Sequence, residues 1–314
     1  MRIARFTTGE DPLYGVVTGD LDEHGQPSDD SVIVGIAGDP LYVGVKLLNE
    51  EHRLADVRLL APVLPRSKVV GIGRNYAAHA AEMGNEVPEE PLMFLKPNTS
   101  VVGPGDPIFY PKQTQDLHYE GELAVVIGRI CRDVPPQQAT DVIHGYTIAN
   151  DVTARDLQKS DVQYEGELAV VIGRICRDVP AEQATDVIHG YTIANDVTAR
   201  DLQRSDVQFT RAKGFDSFCP LGPWIETDLD PSDFATGRRV RTHLNGDLVQ
   251  DGTTADLIFD IPTLVAHVSS VMTLLPGDVI LTGTPAGVGP MEVGDEVEIS
   301  IAGLGSLTNK VEKR

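Results

Sequence analysis

The chain has 314 residues, 41% hydrophobic and 23% charged, enough for one large domain or one domain with a small satellite. Its net charge of −21 argues against nucleic acid and anionic membranes as partners, since both need basic patches, and suits a protein that binds divalent cations. No apolar run reaches the length of a membrane span and no leader opens the chain; Cys131, Cys176 and Cys219 show neither disulfide nor zinc spacing, so a cytoplasmic location is expected.

Residues 1–60 are expected to form a small β-rich N-terminal domain, with strands over 2–6, 14–17, 32–35 and 42–45. Turn-forming clusters such as Gly19-Asp20 and Gly38-Asp39-Pro40 separate these strands. A hinge at 62–65 leads into the main domain, expected over 66–314. A strand at 69–71 runs into Gly73-Arg74-Asn75-Tyr76, where Tyr76 replaces the third glycine of a dinucleotide loop and removes that reading. Asn75 is placed to cap a short Ala-rich helix. On that helix His79 and Glu82, three apart, share a face, either as a solvated surface pair or as a carboxylate orienting an imidazole. An apolar strand near 93–95 then ends in a polar loop, Lys96-Pro97-Asn98-Thr99-Ser100.

Residues 119–163 occur twice: 164–208 repeat them with 42 of 45 positions identical. Only Pro136/Ala181, Gln137/Glu182 and Lys159/Arg204 differ. A functional array needs at least three stacking repeats, so two copies in mid-chain point to a tandem duplication inside a domain of 269 residues. Each copy opens with Glu-x-Glu on a predicted strand, Glu120 and Glu122 or Glu165 and Glu167. Period two puts each pair on one face, with Gly121 leaving the other face open. A helix is predicted over 135–144, then a buried strand over 146–149 ending at Asn150-Asp151, matched by Asp196 in the second copy. Three carboxylates brought together would form an all-oxygen site for Mg²⁺ or Mn²⁺, with Ca²⁺ also suited, rather than zinc.

Downstream, Lys213 sits in a Gly-bearing loop, and Asn245-Gly246 marks a hairpin. Residues 262–273 read as an amphipathic helix with proline at its start. A strand then enters the loop Thr282-Gly283-Thr284-Pro285, whose backbone N–H groups and hydroxyls suit a carboxylate. A last hairpin, 295–301 with 307–311, closes the sheet.

In order, Gly-x-Gly-Arg-Asn-Tyr-x-x-His-x-x-Glu, Glu-x-Glu-Leu, Asn-Asp-Val-Thr-Ala-Arg-Asp, the Lys213 loop and Gly-Asp-Val-Ile-Leu-Thr-Gly-Thr-Pro resemble the fumarylacetoacetate hydrolase family. The resemblance runs from about residue 66 to the C-terminus and implies an α+β, β-rich fold, a mixed β-roll catalytic domain beside the small N-terminal one, assembled as a homodimer. It implies metal ligation by Glu120, Glu122 and Asp151, or by their twins Glu165, Glu167 and Asp196. It also implies a water-activating pair in His79 and Glu82, a lysine facing substrate in Lys213, and substrate contacts from Arg74, Asn75, Tyr76, Thr284 and either Gln158 or Gln203. The expected activity is metal-dependent C–C hydrolysis of a 2-oxo or 2,4-dioxo acid; isomerisation and decarboxylation fit the same scaffold. A metal-binding remnant disabled by the duplication is the non-enzymatic alternative. The unbroken spacing from Asp196 through Gln203 to Lys213 points to the second copy as the one seated in the domain. Looping out the other costs about 3 kcal/mol by the logarithmic closure term.

Overall fold

Strand-forming runs dominate the chain, and in the computed structural model most of them join one large mixed sheet. The structure describes residues 1–20, 27–28, 30–112, 114–155, 163–172, 188–198, 212–229 and 231–313, with 163–172 and 188–198 described by backbone alone. It divides into a main unit, Met1–Asp156 with Phe209–Arg314, and a second unit, Leu157–Gln208.

Across the main sheet the strands run in the order Leu47–Arg53, Val32–Ile36, Leu13–Thr18, Arg2–Thr7, Cys219–Glu226, Ile143–Asn150, Gly121–Ile127, Val279–Leu281, Val69–Gly73 and Leu92–Lys96. Arg2–Thr7 pairs antiparallel with Cys219–Glu226, so the N-terminal strands continue the same sheet. Of residues 42–45, expected as a strand, Tyr42 and Val43 instead belong to a helical turn, Pro40–Val43, and only Gly44 and Val45 follow it. Asp39 caps it by accepting the Leu41 N–H at 3.0 Å, and Pro40 supplies the first helical position. The cap and proline outweigh the strand preference of Tyr42 and Val43.

A second sheet of five strands, Asp247–Thr253, Arg239–Leu244, Glu296–Ile301, Gly305–Lys313 and Ile108–Tyr110, contains both predicted hairpins. Asn245 (φ 53°) and Gly246 (φ 88°) form the tight turn that the Asn-Gly pair requires. The predicted helix at 262–273 is Ile261–Val271, capped by the Asp260 side chain.

Gly121–Ile127 is buried along its whole length, which is why, past Glu122, residues 123–127 form a continuous apolar run rather than an alternating one. One face carries Ala124 and Val126 into a core with Val69, Ala149, Leu221, Val279 and Leu281. Toward the second sheet Gly121 is not open, as expected, but closely covered: a Cβ there would lie 2.6 Å from Thr242 Oγ1 and 3.1 Å from Ile299. Glycine is required because the two sheets approach each other at this point. The helix expected over 135–144 is a short 3₁₀ segment, Pro136–Asp141, and strand begins at Ile143. Its pairing with Gly121–Ile127 claims those last residues.

Within the second unit, Gln163–Ile172 pairs antiparallel with Ile188–Thr198 as a two-stranded sheet.

Candidate active site

The Gly121–Ile127 and Ile143–Asn150 strands are paired with Gly121 opposite Asn150, so Glu120 and Asp151 meet at the same end. The Asp151 N–H donates to the Glu120 carbonyl at 2.9 Å, and the Glu120 N–H to Asn150 Oδ1 at 3.0 Å. Glu122 shares its strand face with Ala124 and Val126, so the acidic residues stand where the apolar core ends. One carboxylate oxygen from each of Glu120, Glu122 and Asp151 lies within 4.8 Å of the other two, and all three residues are buried.

Three buried or half-buried cations meet these carboxylates. Lys213 Nζ donates to Glu120 at 3.2 Å and also to Asp151. Lys96 Nζ, from the end of the Leu92–Lys96 strand, donates to the other Asp151 oxygen and to the Val152 carbonyl at 3.3 Å. Arg155 donates to Glu120 Oε1, which also accepts the Thr153 hydroxyl at 3.0 Å. Burial pushes the Glu120 carboxyl up, but Lys213, Arg155 and His79 outweigh it and hold the group below the usual carboxylate range. For Lys213 burial works against the charge, and Asp151 with Glu120 outweighs it, so the ammonium is held more firmly than usual. Glu122 differs. Burial and then Asp151 push its carboxyl well above the ordinary range, with Lys213 opposing. Among the described residues its hydrogen-bond donor is the Gly283 N–H, at 2.8 Å, and no lysine or arginine contacts it directly. A buried set of hard oxygen donors with one crowded, unneutralised member fits a divalent cation.

Beside the trio, the Ala77–Glu82 helix carries His79, buried, with Nδ1 3.4 Å from Glu82 Oε2. The Gly287 N–H reaches both Glu82 oxygens at 3.1 Å, and the Tyr119 hydroxyl donates to the Gly287 carbonyl at 2.9 Å. Asn75 does not cap the helix, which starts after Tyr76 without a side-chain cap. The Asn75 side chain is buried and donates to the Phe259 and Thr282 carbonyls at 3.1 and 2.9 Å, and it accepts the Phe259 N–H at 2.8 Å. Those three longer-range bonds outcompete a cap. Tyr76 is buried near Glu122, and its phenol is pushed up by burial first and by that carboxylate second. Arg74 is half-buried at the strand exit with φ 58°. Thr284 is buried, and its hydroxyl donates to the Gly121 carbonyl at 2.8 Å.

The expectation that the second copy is seated is corrected. Gly121–Ile127 and Ile143–Asn150 of the first copy occupy the main sheet, between Val279–Leu281 and Cys219–Glu226. Glu165 and Asp196 lie opposite each other on the hairpin of the second unit, whose side chains, like Glu167, fall outside the described residues. Gln158 and Gln203 also lie outside them. Three residues of the site carried no role in the sequence reading: Lys96, Arg155 and Gln250, which links Gly121 to Thr284. Lys96 left one signal, a lysine continuing an apolar strand directly before a proline. Gln250 left none, because a single glutamine on an alternating strand is ordinary.

The profile described as fumarylacetoacetate (FAA) hydrolase C-terminal matches residues 68–163 and 159–312, and the one described as Rv2993c-like, N-terminal matches 1–62. The two overlapping matches each take in one copy of the repeat. The mitochondrial oxaloacetate tautomerase FAHD1 of Homo sapiens is 36% identical over 78% of this chain and 91% of its own length. The crystal structure of 5-carboxymethyl-2-hydroxymuconate delta-isomerase from Mycobacterium smegmatis is 43% identical over the whole of both chains, with TM-score 0.75. Fumarylpyruvate hydrolase from Pseudomonas aeruginosa, solved in complex with Mn²⁺ and pyruvate, is 29% identical over 80% of this chain and 91% of that one, with TM-score 0.62. By its profile matches, its fold and its full-length likeness to such enzymes, the chain belongs to the fumarylacetoacetate hydrolase family.

Proposed function

We propose that the chain is a divalent-metal-dependent enzyme that hydrolyses a C–C bond in a 2-oxo or 2,4-dioxo acid. The observation that carries this reading is a buried three-carboxylate cluster beside a His79–Glu82 pair at 3.4 Å. Glu120, Glu122 and Asp151 would hold Mg²⁺ or Mn²⁺, and the same oxygens suit Ca²⁺. Such an ion, when bound, supplies Lewis-acid stabilisation of charge developing on an enolate oxygen. Lys96, Lys213 and Arg155 already pair with Glu120 and Asp151, which leaves Glu122 as the carboxylate without a cationic partner among the described residues. With those cations in place, a bound divalent ion would leave the site net positive, which favours an anionic acid over a neutral ketone.

The rest falls to side chains of this protein. Glu82, held by the Gly287 N–H, orients the His79 ring through Nδ1, leaving Nε2 to take a proton from water. The water oxygen attacks the distal carbonyl of a 2,4-dioxo acid. The bond between that carbonyl carbon and the adjacent carbon breaks, its electron pair leaving as the enolate, which is then protonated. Lys213, held as an ammonium, places fixed positive charge where the substrate anion lies.

A second reading is supported by the names of two relatives, the tautomerase and the isomerase. In it His79 takes a proton from carbon and returns it elsewhere, and no water is consumed. A panel of acylpyruvates and oxaloacetate separates the two: hydrolysis releases two products, whereas tautomerisation or isomerisation changes only the ultraviolet spectrum. EDTA should abolish either activity and Mn²⁺ should restore it. Mn²⁺ binding with no turnover of any member would favour the non-catalytic alternative. A cytoplasmic homodimer belongs to the same reading, and sedimentation tests the assembly.

A further inference from the structure

Gln250 lies on the Asp247–Thr253 strand and is 1% exposed. Its carboxamide makes four hydrogen bonds, the most a primary amide allows. Oε1 accepts from the Thr242 hydroxyl at 2.8 Å and from the Gly121 N–H at 3.2 Å. Nε2 donates to Thr284 Oγ1 at 2.9 Å and to the Pro285 carbonyl at 2.8 Å. The orientation of the amide is forced, because the Gly121 N–H can only donate and the Pro285 carbonyl can only accept. Since Gln250 donates to Thr284, the single Thr284 proton goes to the Gly121 carbonyl, at 2.8 Å. A closed ring results, from the Gly121 N–H through Gln250 and Thr284 back to the Gly121 carbonyl. It grips both sides of the one residue that separates Glu120 from Glu122. Gly121 has no slack on its other side either, where a Cβ would meet the Thr242 hydroxyl that Gln250 also holds.

We infer that Gln250 is a positioning residue for the acidic cluster: by closing this ring it fixes the Gly121 peptide, and with it the spacing of the Glu120 and Glu122 carboxylates. The inference rests on the reading of that cluster as a cation site. While the ring is closed, the Thr284 hydroxyl has no proton to offer and meets a ligand only as an acceptor. Groups that hold metal ligands in place set affinity although they never touch the metal.

The test is Mn²⁺ affinity of the full chain by titration calorimetry, with the thermal midpoint in EDTA measured in parallel, for the parent, Gln250→Leu, Thr284→Val and the double variant. Gln250→Leu should weaken Mn²⁺ binding about tenfold or more. Thr284→Val should weaken it in the same direction. The double variant should be no weaker than the worse single one, because both changes open the same ring. A glutamine that only supports the fold would lower the midpoint and leave the affinity of the folded protein unchanged, within about twofold of the parent; that result overturns the inference. Should Gln250→Leu fail to fold, Thr284→Val keeps the glutamine and the local shape, and an affinity within about twofold of the parent overturns the inference by itself. A parent that binds no Mn²⁺ overturns the cation reading, and the inference with it.

Discussion

Two stretches of this protein have almost the same sequence and different surroundings. Residues 119–163 and 164–208 agree at 42 of 45 positions. Both form an antiparallel hairpin in one register: Gly121 faces Asn150 and Gly166 faces Asn195, with the same irregularity after Val126 and after Val171. The register therefore belongs to the local sequence. The surroundings do not. The first hairpin is flanked by Val279–Leu281 and Cys219–Glu226, whereas among the described residues the second pairs only with itself. Each flanking edge takes one strand, so the domain has room for one copy. The cluster of Glu120, Glu122 and Asp151 is completed by Lys96, Lys213 and Gly283, none of which lies in the repeat. A hairpin carries the ligands; the neighbours turn them into a site.

The two copies differ in the chain that enters them, and entry packing is the expected reason for the first copy's place. The first hairpin follows Leu117–Tyr119, where Leu117 is fully buried and pairs with Met291 and Ala154, and where His118 contacts Asp116 at 2.8 Å. The second copy is preceded by Val162 and Gln163 instead. Unbroken spacing to Lys213 carried less weight than it promised. An equal number of residues, 45, is looped out in either seating, and closure entropy depends only on the logarithm of loop length.

The largest expected effect comes from treating the twin aspartates alike. Asp151→Asn should cut kcat/KM by about a thousandfold or more and remove Mn²⁺ binding, since it takes a charged ligand from a water-poor site. Asp196→Asn should leave both within about twofold. Equal losses would show that the second hairpin serves the site. His79→Ala should follow, with hydrolysis of acylpyruvates falling by about 10²–10⁴ while Mn²⁺ affinity is kept; loss of that affinity would reassign His79 as a ligand.

Two 45-residue deletions sharpen the comparison at the level of stability. Removing 164–208 should leave activity in place and gain about 3 kcal/mol from the lost loop closure, read by urea denaturation. Removing 116–160 also leaves one copy, but Val162 and Gln163 then stand where Leu117 and His118 are. That protein should be about 1 kcal/mol less stable than the first deletion, the order of one buried methylene and its cavity. Equal stabilities would remove entry packing as the reason for the seating.

The smallest effect is a pH dependence in that pair. Burial, then Arg155, lowers the His118 pKa below the ordinary imidazole value. The unfolded chain therefore binds the proton more readily, and the stability tied to neutral His118 is present above the ordinary histidine pKa and lost as pH falls through it. The deletion that keeps His118 should lose more of its thermal midpoint between pH 7.5 and 5.5 than the one with Gln163. Parallel curves would remove His118 from the account.

By itself, the sequence determined the pieces whose causes lie within a few residues. Period two placed Glu120 and Glu122 on one face, Asn245-Gly246 made its hairpin turn, and helical spacing joined His79 to Glu82. The order of the motifs identified the family. What failed were choices between a local preference and a distant partner. Asn75 left its cap for Phe259 and Thr282, and Ile143 and His144 left a predicted helix for strand pairing with the first Glu-x-Glu strand. The open face at Gly121 was closed by Thr242, about 120 residues further on. Only the tertiary structure decided which copy is seated, because the copies share one local code and differ in what surrounds them. It also decided that Lys96, Arg155 and Gln250 belong to the site: a buried charge or amide persists only where its partners sit, and those partners come from strands that the sequence does not show to be adjacent.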